Sequence, residues 1–118
     1  MTKNALKNPG DTYKNYALRR SVSLPEISCL LKEIEHLPTG AKILHIENED
    51  VENVFCLSFQ TTPEDSTGVA HILEHTVLCG SKKYPVKDPF FCMMRRSLNT
   101  FMNAFTGADF TCYPAASE

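Results

Sequence analysis

Between Val54 and Val77 the apolar residues change their period, and that switch restricts the chain to folds that set a helix beside a strand. Phe55, Leu57 and Phe59 alternate with their neighbours over Val54–Gln60, the period-two pattern of an extended ribbon with one face turned to a core. After TTPEDSTG the spacing lengthens. In GVAHILEH (Gly68–His75) three titratable residues sit among small and apolar ones. On a helix, positions i, i+3 and i+4 share a face, which puts His71, Glu74 and His75 together. Val69, Ile72, Leu73 and Val77 fall on the other side and are expected to pack into the core. Asp65, Ser66 and Thr67 are the candidate N-caps, and Gly80 is placed to end the helix just after Cys79.

The crowding of His71, Glu74 and His75 has a chemical reading. Two imidazoles one turn apart can each direct a nitrogen at one ion, at the roughly 2.0–2.1 Å that zinc requires. A glutamate three residues after the first histidine then lies beside the metal without having to ligate it. There it can take a proton from a water whose pKa zinc lowers to about 7. The pattern H-x-x-E-H is the inverted counterpart of H-E-x-x-H. Two histidines supply only two ligands, whereas a catalytic zinc site commonly has three protein ligands and a water. His36 and His45, on the preceding ribbon, read as surface residues, and nothing in the spacing of Asp109 or Glu118 marks either as the third.

The rest of the chain frames this segment. Residues 1–22 are polar, with Asn8, Gly10 and Asn15, and read as a loose arm ahead of a unit spanning 23–118. Ile27–His36 has helical spacing at Ile27, Leu30, Leu31 and Ile34, yet the turn at Pro38-Thr39-Gly40 and the strand pattern of AKILHI behind it also suit a strand. Asn48–Asn53 is an acidic turn. SKKYPVKDPF reads as a loop. Asp88 and Pro89 form a cap followed by a first-turn proline, opening a second helix over Phe90–Leu98 whose Arg95 and Arg96 suit its C-terminal dipole. MNAFT and FTCYP read as two strands around a turn at Gly107-Ala108-Asp109. The chain stops at TCYPAASE on an apparent strand, which suggests the start of something longer.

Composition narrows the setting. With 118 residues, 42% apolar and 22% charged, the chain fits one small globular domain. A net charge of −2 makes no electrostatic case for nucleic acid or an anionic membrane, and no apolar run approaches the roughly 20 residues that span a bilayer. The five cysteines (Cys29, Cys56, Cys79, Cys92 and Cys112) are odd in number and lack metal-site spacing, so they read mostly as thiols filling core space in a reducing compartment. MTKNALKNPGDTYKNY lacks the apolar core of a signal peptide and the pattern of a transit peptide. A cytoplasmic setting is expected, with a mitochondrial or other organelle matrix as the alternative.

GVAHILEHTVLCGSKKYPVKDPFF, followed by SLNTFMNAFTGADFTCYP, resembles the pitrilysin/insulinase class of zinc peptidases, and within it the presequence protease branch. DSTGVAHILEH, VLCGSKKYP and NAFT…TCYP carry the resemblance, which runs from about Leu24 to the end and leaves the polar arm uncovered. It implies an α+β fold, a two-layer sandwich with helices packed on one face of a mostly antiparallel sheet, and makes Ile27–His36 a strand. It implies zinc as cofactor, His71 and His75 as metal ligands and Glu74 as catalytic base. Asn103, Ala104 and Phe105 match the substrate-binding edge strand, where an extended peptide adds by backbone hydrogen bonds. The third ligand would be a glutamate on a later helix, beyond Glu118. The implied function is a zinc-dependent endopeptidase that degrades short unfolded peptides and needs the remainder of the protease chain to complete its site. Two rivals remain: an S-ribosylhomocysteine lyase-like enzyme, which also carries a His-x-x-Glu-His helix, and a non-catalytic fragment or scaffold of the peptidase fold.

Overall fold

A computed structural model describes residues 5–96 and 99–117. The chain divides into two compact units, Met1–Glu49 and Asp50–Glu118. Among the described residues all strand pairs are antiparallel and the two α-helices lie in the second unit, so the α+β class expected from the sequence is the one observed, with the strands shared between two sheets. Among the described residues no helix is long and apolar enough to cross a membrane.

The first unit is a meander, β1 (Thr12–Tyr13), β2 (Tyr16–Leu24), β3 (Cys29–His36) and β4 (Ala41–Glu47), hydrogen-bonded in that order. Half of the described part of the expected arm, residues 5–22, is therefore strand. Its alternation was obscured by a bulge. Leu18 pairs with Ile34 and Arg20 with Glu33, which leaves Arg19 as the extra residue and shifts the phase of the side chains along β2. Ala17 and Leu18 are buried, and Leu18 is 0% exposed. The two arginines find partners on β3: Arg19 Nε donates to Glu35 Oε2 at 2.7 Å, and Arg20 lies 3.6 Å from Glu33. The segment left open between helix and strand is strand from Cys29 onward. Ile27 instead closes a single 3-10 turn, Pro25–Ile27, and Ser28 leaves it in the left-handed region.

The second unit holds β5 (Asn53–Gln60), α1 (Val69–Val77), α2 (Pro89–Arg96), β6 (Asn99–Met102), β7 (Phe105–Thr106) and β8 (Phe110–Ser117). β8 is central. β5 flanks one edge, and β6 and β7 share the other. Pro89 opens α2 as the sequence suggests; Leu98, the expected last residue of that helix, lies outside the described residues. The expected strand MNAFT is divided at Asn103–Ala104, and Pro114 on the neighbouring strand explains the division. The register that pairs Met102 with Ala115 and Phe105 with Cys112 sets Asn103 opposite Pro114. Asn103 N–H donates to the Pro114 carbonyl at 3.0 Å, but proline has no N–H to return. The ladder resumes at β7 and closes at a tight turn in which Gly107 N–H donates to Phe110 O at 2.8 Å. Of the five free cysteines only Cys112 is buried; Cys56, Cys79 and Cys92 are exposed, contrary to the core-filling role expected for most of them.

Candidate functional site

α1 begins where TTPEDSTG ends, though not by the expected cap. Gly68 is the N-cap, at φ +73°, a left-handed conformation that glycine adopts without a Cβ penalty, and no side chain caps the helix. Asp65 is engaged upstream. Its Oδ1 accepts from the Thr67 N–H at 2.9 Å and the Thr67 hydroxyl at 2.5 Å, a local turn that competes with capping. Those two bonds, the hydroxyl's first, hold the Asp65 carboxyl below its usual range. The helix ends at Val77, two residues earlier than expected, and Gly80 follows in the loop at φ +124°.

The helix presents its polar face in two ways. His71 and His75 are exposed, and their rings converge: centroids 4.9 Å apart, planes inclined by 39°, and the two Nε2 atoms 3.2 Å from each other. Two nitrogens on one tetrahedral zinc, each at 2.0–2.1 Å, stand about 3.3–3.4 Å apart. The pair therefore already has the spacing that one such ion demands. Glu74, between them in sequence, turns inward and is 5% exposed. It is not buried in hydrocarbon: Thr106 Oγ1 on β7 donates to Glu74 Oε2 at 2.7 Å. A buried carboxylate with no partner is costly, and this hydroxyl satisfies one of its oxygens, the other meeting no protein donor among the described residues. Tyr113 on β8 registers the arrangement, because burial first and the Glu74 charge second push its phenol up.

The apolar side of α1 departs from expectation. Val69 and Ile72 are 66% and 61% exposed. Leu73 and Val77, with Ala70, look across a groove of 530 Å³ towards Leu57, Phe59 and Tyr113 on the sheet and are only half-covered. The spacing identified which residues share a face; it did not fix which face the sheet covers.

The edge-strand candidates sit on the side of the sheet away from β5. Asn103 directs its N–H inward to Pro114, and Ala104 follows it in the break between β6 and β7, on the side of β8 away from β5. The Ala104 N–H is taken by the side chain of Asn103, at 2.9 Å to Oδ1. Phe105 lies opposite Cys112 on the face away from Thr106, edge-to-face with Phe110 at 6.0 Å. Thr106 was not singled out from the sequence. The signal that could have found it is the period of two in NAFT, which sets Thr106 and Phe105 on opposite faces of the strand that returns beneath the helix.

Among the described residues no group of three or more His, Cys, Asp or Glu side chains converges as a metal site. His36 and His45 belong to the first unit: His36 Nδ1 contacts Thr39 Oγ1 at 2.7 Å, and His45 lies on β4. Asp109 is at the β7–β8 turn, where its carbonyl accepts from Thr61 N–H at 2.8 Å. Glu118 lies outside the described residues.

Residues 60–118 match the family model described as Insulinase (Peptidase family M16). Curated relatives match over nearly the whole chain. The mitochondrial presequence protease of Xenopus laevis is 51% identical over 111 residues, 94% of this chain and 11% of the relative. That of Eremothecium gossypii is 55% identical over 108 residues, and that of Saccharomyces cerevisiae 52% over 105, again 11% of each relative. The likeness to the first of these enters the residues expected to form an uncovered arm, and the chain spans about 11% of the length of the curated relatives it matches. By the family match and by these identities, the chain belongs to the insulinase (M16) family of peptidases.

Proposed function

We propose that this chain is the first part of the catalytic domain of a zinc endopeptidase that degrades short unfolded peptides, and that residues 23–118 belong to that domain. The observation that carries the reading is the 3.2 Å approach of the His71 and His75 Nε2 atoms beside a buried Glu74, in a chain of a peptidase family. The two imidazoles would hold the ion. The third protein ligand, and the groups that complete the oxyanion site, would come from the remainder of the protease chain. Zinc, when bound, supplies Lewis-acid polarisation of a peptide carbonyl and a water that ionises near neutral pH. Glu74 has Thr106 on one carboxylate oxygen. The other oxygen takes the proton of the attacking water and later delivers it to the leaving amine, as a general base and then a general acid.

Ala104 supports the substrate side of the reading. It lies in the segment between β6 and β7 on the side of β8 away from β5, where an extended peptide would add as a further strand. The Asn103 amide that now accepts from the Ala104 N–H would swing to the incoming backbone, and Phe105 would lie in the same edge segment. Binding through backbone groups gives broad sequence tolerance, which suits the degradation of varied peptides. The relatives are named as mitochondrial, which favours the organelle alternative over the cytoplasmic setting expected from the N-terminal sequence.

The test is to incubate the full-length protease that carries this segment with a quenched fluorescent peptide and, separately, with S-ribosylhomocysteine. Peptide cleavage that stops with a chelator and returns with zinc is the expected result. Turnover of the thioether, or peptide cleavage indifferent to chelation, would overturn the reading.

A further inference from the structure

We infer that Thr106 is a positioning residue for Glu74, fixing the base relative to the strand that takes the peptide; this rests on the proposed role of Glu74. The contact joins residues 32 apart in sequence, from a helix to a two-residue strand. A glutamate side chain has several rotatable bonds, and on α1 alone its carboxylate would be free to swing. Thr106 is the stiffer partner. It is β-branched, it pairs with Thr111 across the ladder, and it is followed at once by the Gly107–Phe110 turn. Thr111 is itself buried, and its hydroxyl lies 2.8 Å from that of Thr61, beyond the end of β5. The sheet thus carries an ordered hydroxyl to the one carboxylate oxygen that must stay still, and leaves the other oxygen for the proton.

The position of Thr106 on the edge segment gives the bond a second consequence. Ala104 lies two residues before Thr106, in the break that leads into β7. A peptide added beside Ala104 would be placed by the same stretch of chain that pins Glu74. Base and scissile bond are then referred to one short strand and not to two elements free to drift apart. Misplacement of a catalytic group by as little as 1 Å can cost about a hundredfold in rate.

The variants to compare in the full-length protease are Thr106→Val, which keeps the shape and the β-branch but removes the hydroxyl, and Thr106→Ser, which keeps the hydroxyl. Glu74→Gln is the control for the base itself. With zinc content equal to that of the parent, Thr106→Val should lower kcat by about ten- to a hundredfold, the range set by a hydrogen bond to a charged group. KM should stay within about twofold, because the peptide's backbone contacts are untouched. Thr106→Ser should restore kcat to within about threefold of the parent, a rescue that a purely packing role for the threonine methyl would not produce. If Thr106→Val does not accumulate as soluble protein, Thr106→Ala removes the same hydroxyl and is judged by the same values. The inference is overturned if the hydroxyl-less variant turns over like the parent, or if the serine and valine variants lose kcat equally. In either case an inactive Glu74→Gln leaves the peptidase reading standing, whereas an active Glu74→Gln removes that reading itself.

Discussion

Removing the His71 imidazole should weaken zinc binding about a hundredfold and leave the helix intact. The two Nε2 atoms lie 3.2 Å apart before any ion is considered, against the roughly 3.3–3.4 Å that a shared tetrahedral zinc requires. α1 therefore needs almost no rearrangement to offer both nitrogens, and no relief of strain would offset the loss of one. Four-ligand zinc sites in peptides bind with apparent free energies of about 10–16 kcal/mol, or roughly 3 kcal/mol per ligand. Losing 3 kcal/mol corresponds to about two orders of magnitude in affinity. His71 is exposed, and alanine is the best helix former, so His71→Ala should keep its helical circular dichroism. The assay is competition against a chromophoric chelator in the full-length protease. His75→Ala should show a loss of the same order, and His45→Ala, on β4 of the first unit, should show none. Parent-like affinity in His71→Ala, or an equal loss in His45→Ala, refutes the reasoning.

Two further predictions concern the frame around the site. Gly80→Ala should destabilise the protein by about 2–4 kcal/mol, because a side chain at φ +124° is strained and its Cβ would stand 2.6 Å from the Val86 carbonyl oxygen. Gly40→Ala, at φ +69° with nothing within 4 Å, should cost only about 1 kcal/mol; similar denaturation midpoints for the two would contradict this. Tyr113 supplies a pH dependence. Its folded phenol is raised above the ordinary value near 10 by burial and by Glu74, so the stability it contributes is complete below that value and is lost as pH rises through the folded one. Urea midpoints measured upward from about pH 9 should fall less steeply in Tyr113→Phe than in the parent; identical slopes would show that Tyr113 is not the group responsible.

What could be read from the sequence was whatever depends on local spacing. The i, i+3, i+4 relation of His71, Glu74 and His75 belongs to any helix, and the rings do converge. The alternation over Val54–Gln60 likewise survives as β5. What could not be read depends on partners distant in sequence. Glu74 is buried while Val69 and Ile72 are exposed, because the sheet supplies a hydroxyl to the carboxylate and leaves the apolar side of α1 open. β2 was hidden by the bulge at Arg19, since a single extra residue reverses the phase on which alternation depends. The break in MNAFT has its cause across the ladder at Pro114. The cap was misassigned among three adjacent candidates because Asp65 spends both its contacts on Thr67, which leaves Gly68 to open the helix.

The most direct measurement is zinc content and peptide turnover on the same sample of Glu74→Gln in the full-length protease. The substitution keeps the side chain's shape and an oxygen for the Thr106 hydroxyl, and removes the group that takes the proton. Zinc at the parent's stoichiometry with cleavage lost by about two to four orders of magnitude is the expected result, the roughly 10²–10⁴-fold typical of a general base. Near-normal turnover, or loss of zinc together with activity, would contradict the assignment of Glu74 as a base that stands beside the ion without ligating it.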